Sequence, residues 1–199
     1  IWNNASTGPA GFISDNSSVT LPDSSAYAPR APFKGVTDNT VADLAFHYWA
    51  KDARPGASAA QANDIKPIIQ VSNANAATQY WDPRNDPATW QHLTTFTVSL
   101  GLTAALNNAN IPWSGDTFSG AGYNALSSGT QAWPAPSDGS SNNAYDLWHA
   151  AINSRGEFFN ADSPDQMVTA FRDIINRISN KTSSAGAPGV TASIVNDSL

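Results

Sequence analysis

Cysteine is absent from this 199-residue chain, which removes disulfide scaffolds, thiol nucleophiles and thiolate metal sites together. Glutamate occurs once, at Glu157, so a carboxylate pair for acid–base chemistry would have to come from aspartate. No Asp pair stands apart from cap and turn positions. Ten Lys and Arg are scattered among sixteen acidic residues, giving a net charge of −6, and phosphate contacts need clustered bases. No nucleic-acid partner is expected. No run approaches the roughly 20 apolar residues that span a bilayer, so no membrane span is expected either. Gly-x-Ser-x-Gly is missing, and nothing singles out a nucleophilic Ser. The expectation is a non-enzymatic domain with no cofactor in this chain.

What is present is Ser, Asn, Ala, Thr and Gly around a modest set of apolar residues, the look of a secreted bacterial surface protein. The segment 86–102 holds the best strand. Leu93 to Leu100 is rich in β-branched and aromatic residues, and alternation places Thr94, Phe96, Val98 and Leu100 on an apolar face. Asp86-Pro87 just upstream reads as the cap of one short helical turn.

Residues 1–36 read as irregular. From Thr37 a helix is expected, with Asp38 or Asn39 as cap, Val41, Leu44, Ala45 and Tyr48 on one face, and a stop at Pro55-Gly56. Ile68 to Val71 suggests a short edge strand. The stretch 110–142 lacks periodicity, but its aromatics point to an ordered, self-packed insertion. From Asn143 a helix runs to a cap at Gly156, then Glu157 to Asn160 reads as a strand. Ser163-Pro-Asp-Gln opens a last helix with Met167, Val168, Phe171, Ile174, Ile175 and Ile178 as its apolar stripe. With the strand at Leu93, this is the alternation of an α/β fold with a parallel sheet. Residues 181–199 read as a linker and an extended tail.

His47, His92 and His149 each sit beside a Trp without a second His at ligand spacing, and a structural role is expected. Arg155-Gly156-Glu157 invites comparison with an integrin-binding tripeptide, but Gly156 already suits a helix cap. The seven tryptophans are the one signal for carbohydrate binding. Trp113 and Trp133, with Tyr123, lie in the insertion and are the candidate exposed contact surface; a secreted lectin is therefore the alternative function.

Three ordered blocks resemble the PilC/PilY proteins of bacterial type IV pili. They are Thr40 to Trp49 followed by Asp52-Ala-Arg-Pro, then Ala88 to Gly101, then Asp146 to Phe159 with Ser163-Pro-Asp-Gln. The resemblance covers about half the chain. It implies the second half of a von Willebrand factor A-like domain, doubly wound and Rossmann-like, spanning 1–180 with long irregular insertions. Ile1-Trp2-Asn3 resembles the residues directly after the family's Thr-Asp-Gly, so the N-terminal half of the domain is expected to lie outside this chain and to be a partner for it. The metal motif Asp-x-Ser-x-Ser would lie in that half. Only near misses occur here, at Asp15, Asp23 and Asp138, so a divalent metal is expected at most in the intact parent. The resemblance further implies roles in pilus assembly, retraction control, adhesion, twitching motility and surface sensing. The implied partners are minor pilins, other pilus components and host or abiotic surfaces; the implied location is extracellular, at a pilus tip or the outer membrane.

Overall fold

The computed structural model describes residues 9, 11–55 and 76–183. A two-residue antiparallel hairpin, β1 (Val19–Thr20) and β2 (Ala26–Tyr27), precedes helix α1 (Val41–Ala50). There follow α2 (Ala76–Tyr80), strand β3 (Thr97–Leu100), a 3₁₀ turn (Thr103–Leu106), α3 (Gly120–Ser127), α4 (Asn143–Asn153), β4 (Phe158–Ala161) and α5 (Pro164–Ser183). The expected edge strand at 68–71 and the extended tail lie outside the described residues. Helix α5 runs past Lys181, into the stretch read as linker.

Helix α1 is capped by Thr40, one residue later than expected. Its hydroxyl accepts from the Asp43 amide while the Asp43 carboxylate accepts from the Thr40 amide, a reciprocal capping box. A second carboxylate joins from α4: Asp146 accepts from the Val41 and Ala42 amides at 3.0 and 3.2 Å. These are donors that a helix start leaves unpaired, so α4 satisfies α1 directly. The buried face of α1 is Ala42, Ala45, Phe46 and Trp49, and Tyr48 is exposed. The face is rotated from the expected one because Phe46 and Trp49 have far more apolar area to bury than Val41 and Leu44.

Strands β3 and β4 pair in parallel, Thr97 opposite Phe158 and Leu100 opposite Ala161. The coarse expectation of mixed α and β with a parallel pair therefore matches. The strand is shorter than its β-branched run. The Leu93 amide donates to Tyr48 O and the Thr95 amide to Ser154 Oγ, so this lead-in is bonded to helix ends rather than to a strand. Asp86 opens no helical turn; its carboxylate accepts from Trp49 Nε1 at 3.3 Å and lies 2.9 Å from His92 Nε2.

The alternation suits a sheet covered on both faces, yet among the described residues the small, uncharged face is the better covered one. Thr97 and Ser99 are buried, whereas Leu100 and Leu93 are 57% and 54% exposed. Thr97 Oγ1 donates to Leu147 O of α4 at 2.8 Å, and Ser99 Oγ donates to Asn160 Oδ1 on β4. Small hydroxyl residues suit this face because α4 lies close against it and supplies partners.

Helix α4 ends in a Schellman motif: the Gly156 amide donates to Ala151 O at 2.9 Å and the Arg155 amide to Ile152 O at 3.2 Å. The left-handed position is Arg155 (φ 62°), not Gly156. Gly156 is required for another reason, since a Cβ there would collide with Thr95 O. The chain crosses so near the lead-in to β3 that only a hydrogen fits.

Candidate functional site

Trp113, Trp133 and Tyr123 do not form the exposed surface expected of them. Trp133 is buried, donates from Nε1 to Pro32 O at 2.6 Å, and stacks on His149. Tyr123 is buried on α3, and Trp113 is half-buried with its ring edge-on to Trp148 and Phe158. Aromatic rings in a polar loop either wait for a ligand or hold the loop to the body, and here they hold it. Beside Trp133 lies a shallow groove of about 340 Å³, lined by Pro32, Lys34, Val36 and Leu126. It presents no free aromatic face.

The chemistry-bearing residues gather instead at a closed polar hub. Asp15 is fully buried; its Oδ1 accepts from the Gly35 amide and its Oδ2 from Asn153 Nδ2 at 2.8 Å. The Asp15 amide donates to Asp43 Oδ1, and Ser14 Oγ lies 2.8 Å from both Asp38 and Asp43. Burial, reinforced by the neighbouring Asp43 charge, pushes the Asp15 carboxyl up to about 8. His149 Nε2 lies 3.4 Å from Asp15 and 2.6 Å from Phe33 O, and burial pushes its pKa down to about 3. His149 Nε2 spends its hydrogen bond on Phe33 O with the Asp15 carboxyl beside it, and burial disfavours the charged form of both groups. Among the described residues no three His, Asp or Glu converge to hold a metal.

His47 accepts from the Ile13 amide at Nδ1, and His92 bridges Asp86 and Trp90 O. Arg155 is buried with its guanidinium carbon 4.1 Å above the Phe33 ring and 4.0 Å above the Trp49 ring, and burial lowers its pKa to about 10. The tripeptide Arg155-Gly156-Glu157 is thus a structural corner, out of reach of a receptor.

The exposed chemistry is apolar. On α5 the expected stripe divides in two. Ala170 is buried against the sheet with Met167 and Ile174 half-buried beside it, whereas Val168, Phe171, Ile175 and Ile178 are 46–62% exposed. Strand β3 and its flanks add exposed Leu93, Leu100 and Leu102. No helix among the described residues is long and apolar enough to cross a membrane. Sequence reasoning misses this exposure because an apolar stripe at helical spacing reads as core along its whole length.

The fold is a mixed α/β unit with one short parallel strand pair among the described residues. No family model and no solved structure matches it. Curated proteins do. The chain is 50% identical over 200 residues to the type IV pilus biogenesis factor PilY1 of Pseudomonas aeruginosa strain PAK, covering 99% of the chain and 16% of that protein. It is 50% identical to the PilY1 of strain PAO1 and 44% identical to that of strain UCBPP-PA14, again over 99% of the chain and 16% of the relative. Over nearly its whole length the chain is therefore a PilC/PilY-type sequence, spanning about a sixth of the curated relatives it matches.

Proposed function

We propose that this chain is a non-enzymatic part of a type IV pilus biogenesis factor and acts through protein–protein contacts at the cell surface. The observation that carries the reading is identity of up to 50% to proteins of that name along 99% of the chain. Under this reading its partners are minor pilins, other pilus components and the surfaces a pilus meets, and its activity contributes to assembly, retraction control, adhesion and surface sensing. The burial of Trp133 and Tyr123, with Trp133 tied to Pro32 O, weighs against the lectin alternative.

The same reading makes the chain the second half of a doubly wound, von Willebrand factor A-like domain. The parallel pair β3–β4 supports it, with α4 against the Thr97–Phe158 face and α5 against the face carrying Phe159. The test is an in-frame deletion of this segment from the parent gene, with surface piliation, twitching and attachment measured together. Loss of piliation with normal parent abundance is expected; unchanged values in all three would refute the function.

A further inference from the structure

His92 sits between two oxygens. Its Nδ1 lies 2.8 Å from Trp90 O and its Nε2 lies 2.9 Å from Asp86 Oδ2. A carbonyl oxygen and an ionised carboxylate can only accept, so each ring nitrogen must donate. A neutral imidazole has a single N–H and can serve one of the two. The arrangement therefore holds one proton more than a neutral ring beside a carboxylate. Asp86 keeps its charge, because its Oδ1 accepts from Trp49 Nε1 at 3.3 Å and from the Ala88 amide at 3.4 Å, and it acts on the buried Arg155 cation stacked on the same Trp49. The extra proton then belongs to the ring. The side chains of His92 and Asp86 are only 7% and 8% exposed, so water has little access to either.

The pair closes one segment of chain over the end of α1. Trp90 Nε1 donates to Trp49 O at 2.7 Å, the Leu93 amide to Tyr48 O at 3.1 Å, and the Ala53 amide to Gln91 O at 2.8 Å. Tyr48 O and Trp49 O belong to the last turn of α1, whose carbonyls have no partner inside the helix. The segment thus does for this end of α1 what Asp146 does for the other. Its fit is incomplete, since Gln91 Oε1 is buried with no partner even when the segment is closed.

We propose that residues 86–93 form a proton-operated latch, closed over the end of α1 while His92 carries both ring protons and released when it loses one. After that loss one ring lone pair faces an oxygen at hydrogen-bond distance, and a buried acceptor facing no donor costs more than the bond it replaces. The other groups around the pair cannot stand in for the proton. Arg155 favours the carboxylate; Asp82, Tyr27 and Tyr80 act on Arg155, and α1 presents Trp49, which carries no charge. Raising the pH is thus expected to free the segment from α1 and uncover the Trp49 and Trp90 rings, with the β3–β4 pair left in place. The latch is separate from the hub around Asp15 and goes beyond the proposed pilus role.

The test is hydrogen exchange on the intact parent polypeptide at about pH 5 and about pH 9, with rates corrected for the intrinsic effect of pH. At the higher pH, protection of the Leu93 and Ala53 amides is expected to fall about tenfold or more relative to the Thr97 amide, which is bonded to Glu157 O on the sheet. Weakening of the Asp15 hub would lower all three together, so the comparison isolates the latch. Asp86→Asn separates a proton switch from a plain contact. Its amide can donate to Nε2 while the neutral ring donates from Nδ1 to Trp90 O, so Leu93 should stay protected at both pH values. Equal protection of Leu93 at the two pH values in the wild type would overturn the proposal, as would a loss shared in full by Thr97. An undiminished loss in a folded Asp86→Asn protein would overturn it too. If that variant does not fold, the wild-type comparison alone decides.

Discussion

Trp133 lies flat on His149, the ring centroids 4.5 Å apart and the planes 14° from parallel. The contact joins the irregular stretch after α3 to the middle of α4, and Trp133 Nε1 ties the same ring to the segment at Pro32. Three separate parts of the chain meet at one indole.

Replacing Trp133 with Ala should therefore cost about 3–5 kcal/mol, as for a large aromatic removed from a core. Urea denaturation checks this. Trp113→Ala, at a half-buried ring, should cost less. A Trp133 variant of unaltered stability with lost glycan binding would restore the exposed-surface expectation.

Gly156→Ala should destabilise by about 1–3 kcal/mol or more, because the new methyl must displace Thr95 backbone and with it the lead-in to β3. The effect is steric and not a matter of dihedral freedom, since Gly156 is not a left-handed position. An Ala variant that melts with the wild type would show that the crossing is looser than described.

The hub predicts a stability optimum in mildly acidic solution. Asp15 has a folded pKa of about 8, above its ordinary 3.8, so the stability it contributes is fully present below about pH 4 and lost as pH rises through 8. His149 has its folded pKa lowered to about 3, so its contribution is present above 6.5 and lost as pH falls toward 3. The two trends oppose one another between about 4 and 6.5, and above that the loss from Asp15 stands alone. Asp43 and Asp38 face the same carboxyl and add to the rise, the Gly35 and Asn153 hydrogen bonds oppose it, and the neighbouring His149 is held neutral by burial. Midpoints of urea unfolding from pH 6.5 to 9 should fall for the wild type and stay flatter for Asp15→Asn.

Asp146→Ala should cost about 1–2 kcal/mol, since it removes both a cap and a negative charge from the start of α1. Thermal melting measures it. Asp146→Asn should recover part of the loss, because its amide oxygen can still accept.

Much of the architecture is legible where the signal is local. The existence of α1, though not its cap at Thr40, the helix from Asn143, the strand at Phe158 and Pro164 at the start of α5 all rest on residues within a turn of one another. What is not legible depends on distant partners. Thr97 and Ser99 read in sequence only as the small, uncharged face of β3, and nothing there shows their partners Leu147 O and Asn160, 50 and 61 residues away. The α5 stripe shows its apolar character but not that Val168, Phe171 and Ile175 are exposed among the described residues. Trp133 and Tyr123 are buried and Trp113 half-buried, which a polar neighbourhood in sequence does not show because it says nothing of what folds over it. Asp15 stands out in the sequence only as part of a failed metal motif, although its burial among Gly35, Asp43 and Asn153 makes it the centre of the hub.

The separation across the β3–β4 ladder also sets the order of events in folding. Ser99 and Asn160 are 61 residues apart, and closing a loop of that length costs about 4 kcal/mol in chain entropy before any rung forms. Four residue pairs repay little of this alone. The ladder must therefore form together with the docking of α4, whose Leu147 O holds Thr97, and refolding should show helical signal rising ahead of protection at Ser99.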